Sequence, residues 1–328
     1  MTDFWAGKRV AITGAAGFVG AHLCRALVDR GASVLGLDLV TDSPCWRVHG
    51  LAGLAELTLA DLFSADNLRY HLAPFLRSPS AEIIFHLAGV SHIHEAQGSA
   101  VRAFEVNTRA AWVLLDVCGQ MDVKAVVLAS SNHVYGSYCS ASDEWRKTQA
   151  TDVYGTSKAA QDLVARCFGA MGVPVATLRH VNAYGPADPH MSHLVTGAIL
   201  SVLRGEAPVI RSDGTPVKAY LHVGDVVDAY LLLAERLAAS DLPTGQPWNC
   251  APRAPISALA LVDKVIQAAG LALVPEITGE DLSQSGYVEM LDASQLRALG
   301  WAPRWSLKEG LVDTLNWYRA HGGMKWVE

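Results

Sequence analysis

No two of the six cysteines (Cys24, Cys45, Cys118, Cys139, Cys167 and Cys250) form a C-x-x-C pair. That leaves neither a zinc-ribbon spacing nor a disulfide framework, and reduced thiols in a cytoplasmic protein are the expectation. No apolar run reaches the ~18 residues a membrane-spanning helix needs. The opening Met-Thr-Asp-Phe-Trp-Ala-Gly-Lys-Arg lacks the basic-then-apolar layout of a signal peptide. Positive charge is not in excess: 26 Lys and Arg against 32 Asp and Glu give a net charge of −6, which argues against nucleic-acid or anionic-membrane partners. Twelve histidines occur without an H-E-x-x-H pattern, so no metal is expected and most are read as structural or surface residues. Internal repeats, low-complexity tracts and long linkers are also missing. What remains is an ordinary globular composition, 51% hydrophobic and 18% charged, in 328 residues. That is room for one large domain or two modest ones.

The first informative stretch is Lys8–Thr13, a short buried strand, followed by Gly14-Ala-Ala-Gly17-Phe18-Val19-Gly20 and a helical pattern from His22 to Arg30. Strand, glycine loop and helix in this order form the context of a dinucleotide fingerprint. Gly14 permits the tight turn, Gly17 lets a pyrophosphate approach the backbone, and Gly20 allows close helix packing. The helix N-terminus then faces the phosphates. A second strand, Ser33 to Leu37, ends at Asp38. A carboxylate there accepts hydrogen bonds from the adenosine ribose and repels a 2′-phosphate, which favours NAD over NADP. Asp61-Leu62 is expected beside the adenine. Ile83 to Gly89 reads as a buried strand whose small-residue end, Leu87-Ala88-Gly89, suits close passage of a cofactor. Ser91 and His92 follow and are expected near a bound ligand, a locally satisfied loop histidine being the alternative. Asn107 sits in the first half of a helical pattern, Ala103 to Cys118. A mid-helix asparagine costs helix propensity; it is grouped with the cofactor contacts, and a plain surface position is the alternative.

The next strand, Val123 to Ser131, delivers serines at its C-terminal end, and a helix from Tyr154 to Met171 follows. Tyr154 and Lys158 stand four residues apart, on one helix face. There the ammonium is expected to stabilise the phenolate and lower the tyrosine pKa towards neutrality. Such a tyrosine can take the proton of a sugar hydroxyl while hydride leaves the same carbon. With Val175 to Arg179 as a further strand, strands and helices alternate from residue 8 to residue 180. The expected fold is an α/β doubly wound parallel sheet of the Rossmann type. Beyond it come helices Leu194–Arg204, Gly224–Ala239, Ile256–Ala269, Ser294–Leu299 and Leu307–Ala320, with a strand and turn over Val209–Thr215 and a short strand at Tyr220–Val223. The expected division is a nucleotide domain over 1–182, a smaller mixed α/β substrate cap over 183–328, and a segment at about 218–255 returning to the first.

Six motifs are similar to those of the extended short-chain dehydrogenase/reductases, the NAD-dependent nucleotide-sugar epimerases and dehydratases. They are T-G-x-x-G-x-x-G (Thr13 to Gly20), Asp38, H-L-A-G (His86 to Gly89), S-S-x-x-V-Y-G (Ser130 to Gly136), Y-x-x-x-K (Tyr154 to Lys158) and L-R-x-x-N-x-Y-G-P (Leu178 to Pro186). Pro208–Thr215, Tyr220–Val223, Asp225–Tyr230 and the opening Phe4–Lys8 resemble the branch that holds CDP-glucose 4,6-dehydratase. The resemblance implies tightly bound NAD, Tyr154 as base, Lys158 on the nicotinamide ribose, and Ser131 hydrogen-bonded to the reacting hydroxyl. It also implies a nucleotide-diphosphate sugar as substrate, with Ser91, His92, Asn132, Asn182, Arg211 and Lys218 as substrate contacts. A homodimer pairing through helices 103–118 and 154–171 is implied too.

Two departures bear on the reaction. Dehydratases carry an acid after the serine or threonine, where this chain has Asn132 and His133. An amide does not donate a proton as a carboxylic acid does, whereas His133 can serve as acid or base. Serine followed by Asn-His also resembles the uronate dehydrogenases. Relatives usually have Arg-Asp where this chain has Lys218-Ala219, which exchanges a planar fork for a point charge against a diphosphate. The first reading is a 4-epimerase working through a transient 4-keto sugar. The alternatives are a 4,6-dehydratase, a sugar or sugar-acid dehydrogenase, and a catalytically idle NAD-binding regulator.

Overall fold

Seven apolar runs pair side by side in the computed structural model, which describes residues 3–76, 81–136, 141–282 and 285–321. They are β1 (Arg9–Thr13), β2 (Ser33–Asp38), β3 (Glu56–Leu59), β4 (Ala81–His86), β5 (Ala125–Ser131), β6 (Val175–His180) and β7 (Gln246–Cys250), in the order β3-β2-β1-β4-β5-β6-β7. Adjacent strands from β3 across to β6 are parallel. The helices that follow the strands are α1 (Phe18–Asp29), α2 (Ala65–Leu76), α3 (Ala110–Gly119) and α4 (Val153–Ala170). Val10, Ile12, Ile84, Phe85, Val126 and Leu128 are fully buried, which is why the strands read as unbroken apolar runs rather than alternating ones. The strand order reverses between β1 and β4, the switch point at which open parallel sheets bind ligands.

The chain divides into two compact units, Met1–Gly136 with Glu144–His180 and Val227–Asn249, and Ser137–Asp143 with Val181–Val226 and Cys250–Glu328. In the first, the opening Phe4-Trp5 has a packing reason. Trp5 is fully buried, its Nε1 donates to Glu235 Oε1 at 2.5 Å, and its ring lies 6.2 Å from that of Phe85. Phe85 in turn meets Tyr230 edge-on at 6.1 Å.

The second unit is held by short pairings and buried polar bonds. Asn182–Tyr184 runs parallel to Tyr220–His222, and Val217–Lys218 pairs antiparallel with Ile256–Ser257. Helices Leu194–Leu203, Ala258–Ala269 and Leu307–His321 complete it. Asp225, fully buried, accepts the backbone N–H groups of Arg304 (2.8 Å) and Trp305 (3.4 Å), and its carbonyl accepts Trp301 Nε1 at 3.0 Å. Tyr318 closes the far side by donating to the Asp188 carbonyl at 2.6 Å.

Four expected boundaries move, each for a local reason. Helix α1 starts at Phe18 rather than His22, directly after Gly17 in extended conformation. The pattern over 103–118 begins earlier, at Ala100–Phe104, and passes through a π turn, Glu105–Arg109, before α3. Ser257 caps the helix expected from Ile256 by accepting Ala260 N–H at 3.2 Å, so that helix begins at Ala258. The strand and turn expected over Val209–Thr215 resolve into a two-residue strand, Val209–Ile210, followed by bends. Of the segment expected to return to the first unit, only Val227–Asn249 groups with it. Cys139 lies outside the described residues.

Asp225→Ala removes a fully buried carboxylate that accepts two backbone amides, and a loss of about 2 kcal/mol is expected. A clearly lower thermal midpoint is the predicted result; an unchanged midpoint would show that Asp225 does not hold the unit.

Candidate active site

At the end of β1 the backbone makes close approaches that no other side chain permits. Gly14 has φ of +71°, and a Cβ there would stand 2.5 Å from the Ala88 nitrogen. A Cβ on Gly20 would meet the Gly14 carbonyl oxygen at 2.1 Å. This packing puts the first turn of α1, with Phe18 and Val19 half-buried and Gly17 exposed, beside the Leu87-Ala88-Gly89 turn after β4. Free N–H groups at such a helix start suit a pyrophosphate. Asp38, at the end of β2, accepts Ala16 N–H at 2.8 Å and Leu39 N–H at 2.7 Å. Burial raises its carboxyl above the usual range, opposed by hydrogen bonds from the Ala16, Leu39 and Val40 amides. These features together fit NAD: a cradle that Cβ atoms would fill and a carboxylate with lone pairs left for the ribose.

Other expected cofactor contacts sit in varied surroundings. Asp61 is exposed and accepts Phe63 N–H at 2.8 Å, while Leu62 packs against the apolar core. Asn107 is fully buried in the π turn. Its Oδ1 accepts Val90 N–H at 2.8 Å, and its Nδ2 donates to the Val90 carbonyl (3.0 Å) and to Ser157 Oγ (2.9 Å). Both amide protons are consumed, so Asn107 clamps the loop after β4 to α4 instead of offering its amide to the cofactor. Ser91 is exposed, and His92 precedes the helix Ile93–Gly98 without a side-chain capping bond.

The chemistry gathers where β5 ends and α4 begins. Ser131 Oγ accepts His133 N–H at 3.2 Å and starts a tight turn over Asn132–Tyr135. Ser131 is also close enough to the Tyr154 phenol to pull its pKa down. Asn132 is buried, and its Nδ2 has no protein partner. A buried donor left unpaired costs about 1–3 kcal/mol, so it suits a ligand acceptor. Lys158, also buried, donates to the Ala129 carbonyl at 2.8 Å and to Gln161 Oε1 at 3.0 Å. An ammonium has three protons, which leaves one uncommitted. A Cβ on Gly89 would stand 3.2 Å from Lys158 Nζ, so glycine keeps that approach open.

The electrostatics differ from the expectation drawn from spacing. Burial raises the Tyr154 phenol; Ser131 pulls it down, and the Asp152 charge adds to the rise. Lys158 is itself pushed down to about 8 by burial, against the attraction of Asp162. Burial, Ser131 and Asp152 set the Tyr154 shift, and Lys158 does not bring the phenol towards neutrality in the cofactor-free protein. Asp152, which the sequence reading passed over, caps α4 by accepting Gly155 N–H at 2.8 Å. An aspartate two residues before the tyrosine was the signal for it.

Three expected substrate contacts lie in the second unit. Asn182 Nδ2 donates to the Ala219 carbonyl at 3.1 Å and approaches both carboxylate oxygens of buried Glu289 at 3.4 and 3.5 Å. Lys218 Nζ stands 5.8 Å over the Tyr287 ring; burial lowers its pKa, against Glu289 and Asp281. Arg211 is exposed and donates to the Ser192 carbonyl at 3.4 Å. Among the described residues no cluster of His, Cys, Asp and Glu is arranged to hold a metal ion, and no helix is long and apolar enough to cross a membrane.

Residues 10–251 match the sequence model of the NAD dependent epimerase/dehydratase family. CDP-glucose 4,6-dehydratase of Salmonella typhimurium is 28% identical over 341 aligned positions, covering 97% of this chain and 92% of that one. UDP-glucose 4-epimerase of Thermus thermophilus, solved with NAD, superposes with a TM-score of 0.83 at 27% identity, over 96% of this chain and 100% of that one. DesIV of Streptomyces venezuelae, a dTDP-glucose 4,6-dehydratase also solved with NAD, gives 0.81 at 26% identity, over 96% and 98%.

An unfolded lysine keeps its proton up to about 10.5, whereas folded Lys158 releases it near 8. Between those values the unfolded chain binds more protons, so the stability of the cofactor-free protein rises with pH through that window. Lys158→Met removes this contribution. Urea unfolding of the native protein and the variant at several pH values should give a steeper rise for the native one; parallel profiles would contradict the assignment.

Proposed function

The chain belongs to the NAD dependent epimerase/dehydratase family, and from that premise we propose that it is a nucleotide-sugar 4-epimerase. NAD, when bound, supplies a reversible hydride acceptor. The side chains at the end of β5 and the start of α4 handle the proton and the orientation of the sugar. Ser131 hydrogen-bonds the 4-hydroxyl and the Tyr154 phenol together. Tyr154 takes the hydroxyl proton as the 4-keto sugar forms and returns it when the alcohol is restored. Lys158 keeps one ammonium proton for the cofactor ribose. Asn132 gives its unpaired N–H to a substrate oxygen.

The observation that carries the reading is Asn132 beside an intact Ser131, Tyr154 and Lys158. The position after the serine holds an amide donor, which can bind an oxygen but cannot protonate a departing one. Lys218 and Arg211 would neutralise the diphosphate, and exposed Val101, Phe104, Trp112 and Leu163 on or beside the helices named for pairing support a homodimer. A 4,6-dehydratase is the second reading. It is favoured by the similarity to CDP-glucose 4,6-dehydratase and by His133, which stands next to Tyr154 with ring centroids 5.5 Å apart and can serve as the missing acid.

Proton NMR in D2O of the NAD-loaded enzyme with UDP-, GDP-, CDP- and dTDP-hexoses and uronic acids separates the readings. Inversion at C4 without deuterium uptake is expected. A new C6 methyl with deuterium at C5 would replace the epimerase by the dehydratase, and accumulating NADH would mean a net dehydrogenase. Tyr154→Phe should cut turnover by at least ~10²-fold with NAD still bound; retained activity would reject Tyr154 as the base.

A further inference from the structure

Two residues approach each other across the start of α4. His133 Nδ1 lies 3.9 Å from Asp152 Oδ2, with 17% and 25% of the two side chains exposed. That separation is longer than a hydrogen bond, which a rotation of the ring would have to close. Such bonds often lengthen in cofactor-free enzymes and tighten on substrate binding. The approach depends on Gly155: a Cβ there would meet the His133 carbonyl oxygen at 2.6 Å and Asp152 Oδ2 at 3.1 Å. The other Asp152 oxygen is already fixed by Gly155 N–H, so the carboxylate is held in place by the helix cap. The His133 ring also packs edge-on against Tyr154. Burial works to raise the Asp152 carboxyl, but the nearby His133 ring and the hydrogen bond from the Gly155 amide outweigh it, leaving the carboxyl below its usual range.

We propose that Asp152 is a positioning residue for His133. Its carboxylate accepts the Nδ1 proton and thereby fixes the imidazole in the Nδ1–H tautomer, with the Nε2 lone pair free to accept a hydrogen bond from a hydroxyl of the bound sugar. A neutral imidazole carries one donor nitrogen and one acceptor nitrogen, and the partner of the first decides the identity of the second. Asp152 therefore does two things at once: it caps the helix that carries Tyr154 and Lys158, and it selects which face of His133 a substrate meets. The role of Nε2 as a sugar contact rests on the nucleotide-sugar reading; the tautomer does not.

Nitrogen-15 NMR of the histidine-labelled, NAD-loaded enzyme reads the tautomer directly on the neutral ring, with His133→Gln supplying the assignment. The comparison is between the native protein, Asp152→Asn and Asp152→Ser. Asn and Ser both cap helices well, so all three fold, but only Asn keeps a side-chain oxygen at the distance of the aspartate. A hydrogen bond to a charged group is worth about 1.5–3 kcal/mol, a population ratio of roughly tenfold or more. Nδ1–H is thus expected to dominate in the native protein, to persist in Asp152→Asn, and to lose that excess in Asp152→Ser. A native ring in the Nε2–H form, or the same tautomer ratio in all three proteins, would overturn the inference and leave Asp152 a helix cap alone. If the expected pattern appears and no nucleotide sugar is turned over, the inference stands and the functional reading falls.

Discussion

Asn107 ties together the parts of the first unit that must keep fixed positions. One amide, buried where a helix swells into a π turn, satisfies the N–H and the carbonyl of Val90 and the hydroxyl of Ser157. Val90 follows the Leu87-Ala88-Gly89 turn after β4, and Ser157 precedes Lys158 on α4. Thr108 adds a second bond, from its hydroxyl to the Ser157 carbonyl at 2.9 Å. Without these bonds several polar groups would be buried unpaired, each costing about 1–3 kcal/mol. The π turn is the local deformation that lets the amide reach both partners at once, as such turns often do near functional sites.

With that clamp in place, the rest of the site follows from close packing and desolvation. The glycines at 14 and 20 bring β1, the loop after β4 and the start of α1 into backbone contact. The serine at the end of β5 reaches Tyr154 because the tight turn over Asn132–Tyr135 begins there. Burial then sets the electrostatics. It pushes Tyr154 up and Lys158 down, so in the cofactor-free protein both groups favour their neutral forms more than they would in water. The basicity that Tyr154 needs is not supplied by the neighbouring lysine in that state.

The sheet was readable from residue order because parallel strands buried on both faces are written as plain apolar runs, and β1, β2, β4, β5 and β6 were placed to within two residues at their starts. The glycine loop and Asp38 were readable because their chemistry is local. Asn107 was noticed as costly in a helix, but its partners, Val90 and Ser157, lie 17 and 50 residues away, and nothing in the sequence links them. The lowering of Tyr154 by Lys158 was inferred from helical spacing; spacing reports which face a side chain is on and says nothing of burial or competing acceptors such as Ala129 and Gln161. Asp152 was overlooked since its importance depends on the ring of a residue 19 positions earlier and on a glycine at 155 that leaves room for the approach.

The central claim is that this site oxidises the sugar reversibly with the NAD it holds. Its most direct test is to mix the purified, NAD-loaded enzyme rapidly with the nucleotide hexoses and follow the absorbance of the reduced nicotinamide. The account predicts that, with the substrate sugar, absorbance rises to no more than one equivalent per site and then decays to a low steady level as epimers equilibrate. Absorbance that never changes with any nucleotide sugar, or that climbs through many equivalents as NADH is released, would contradict it.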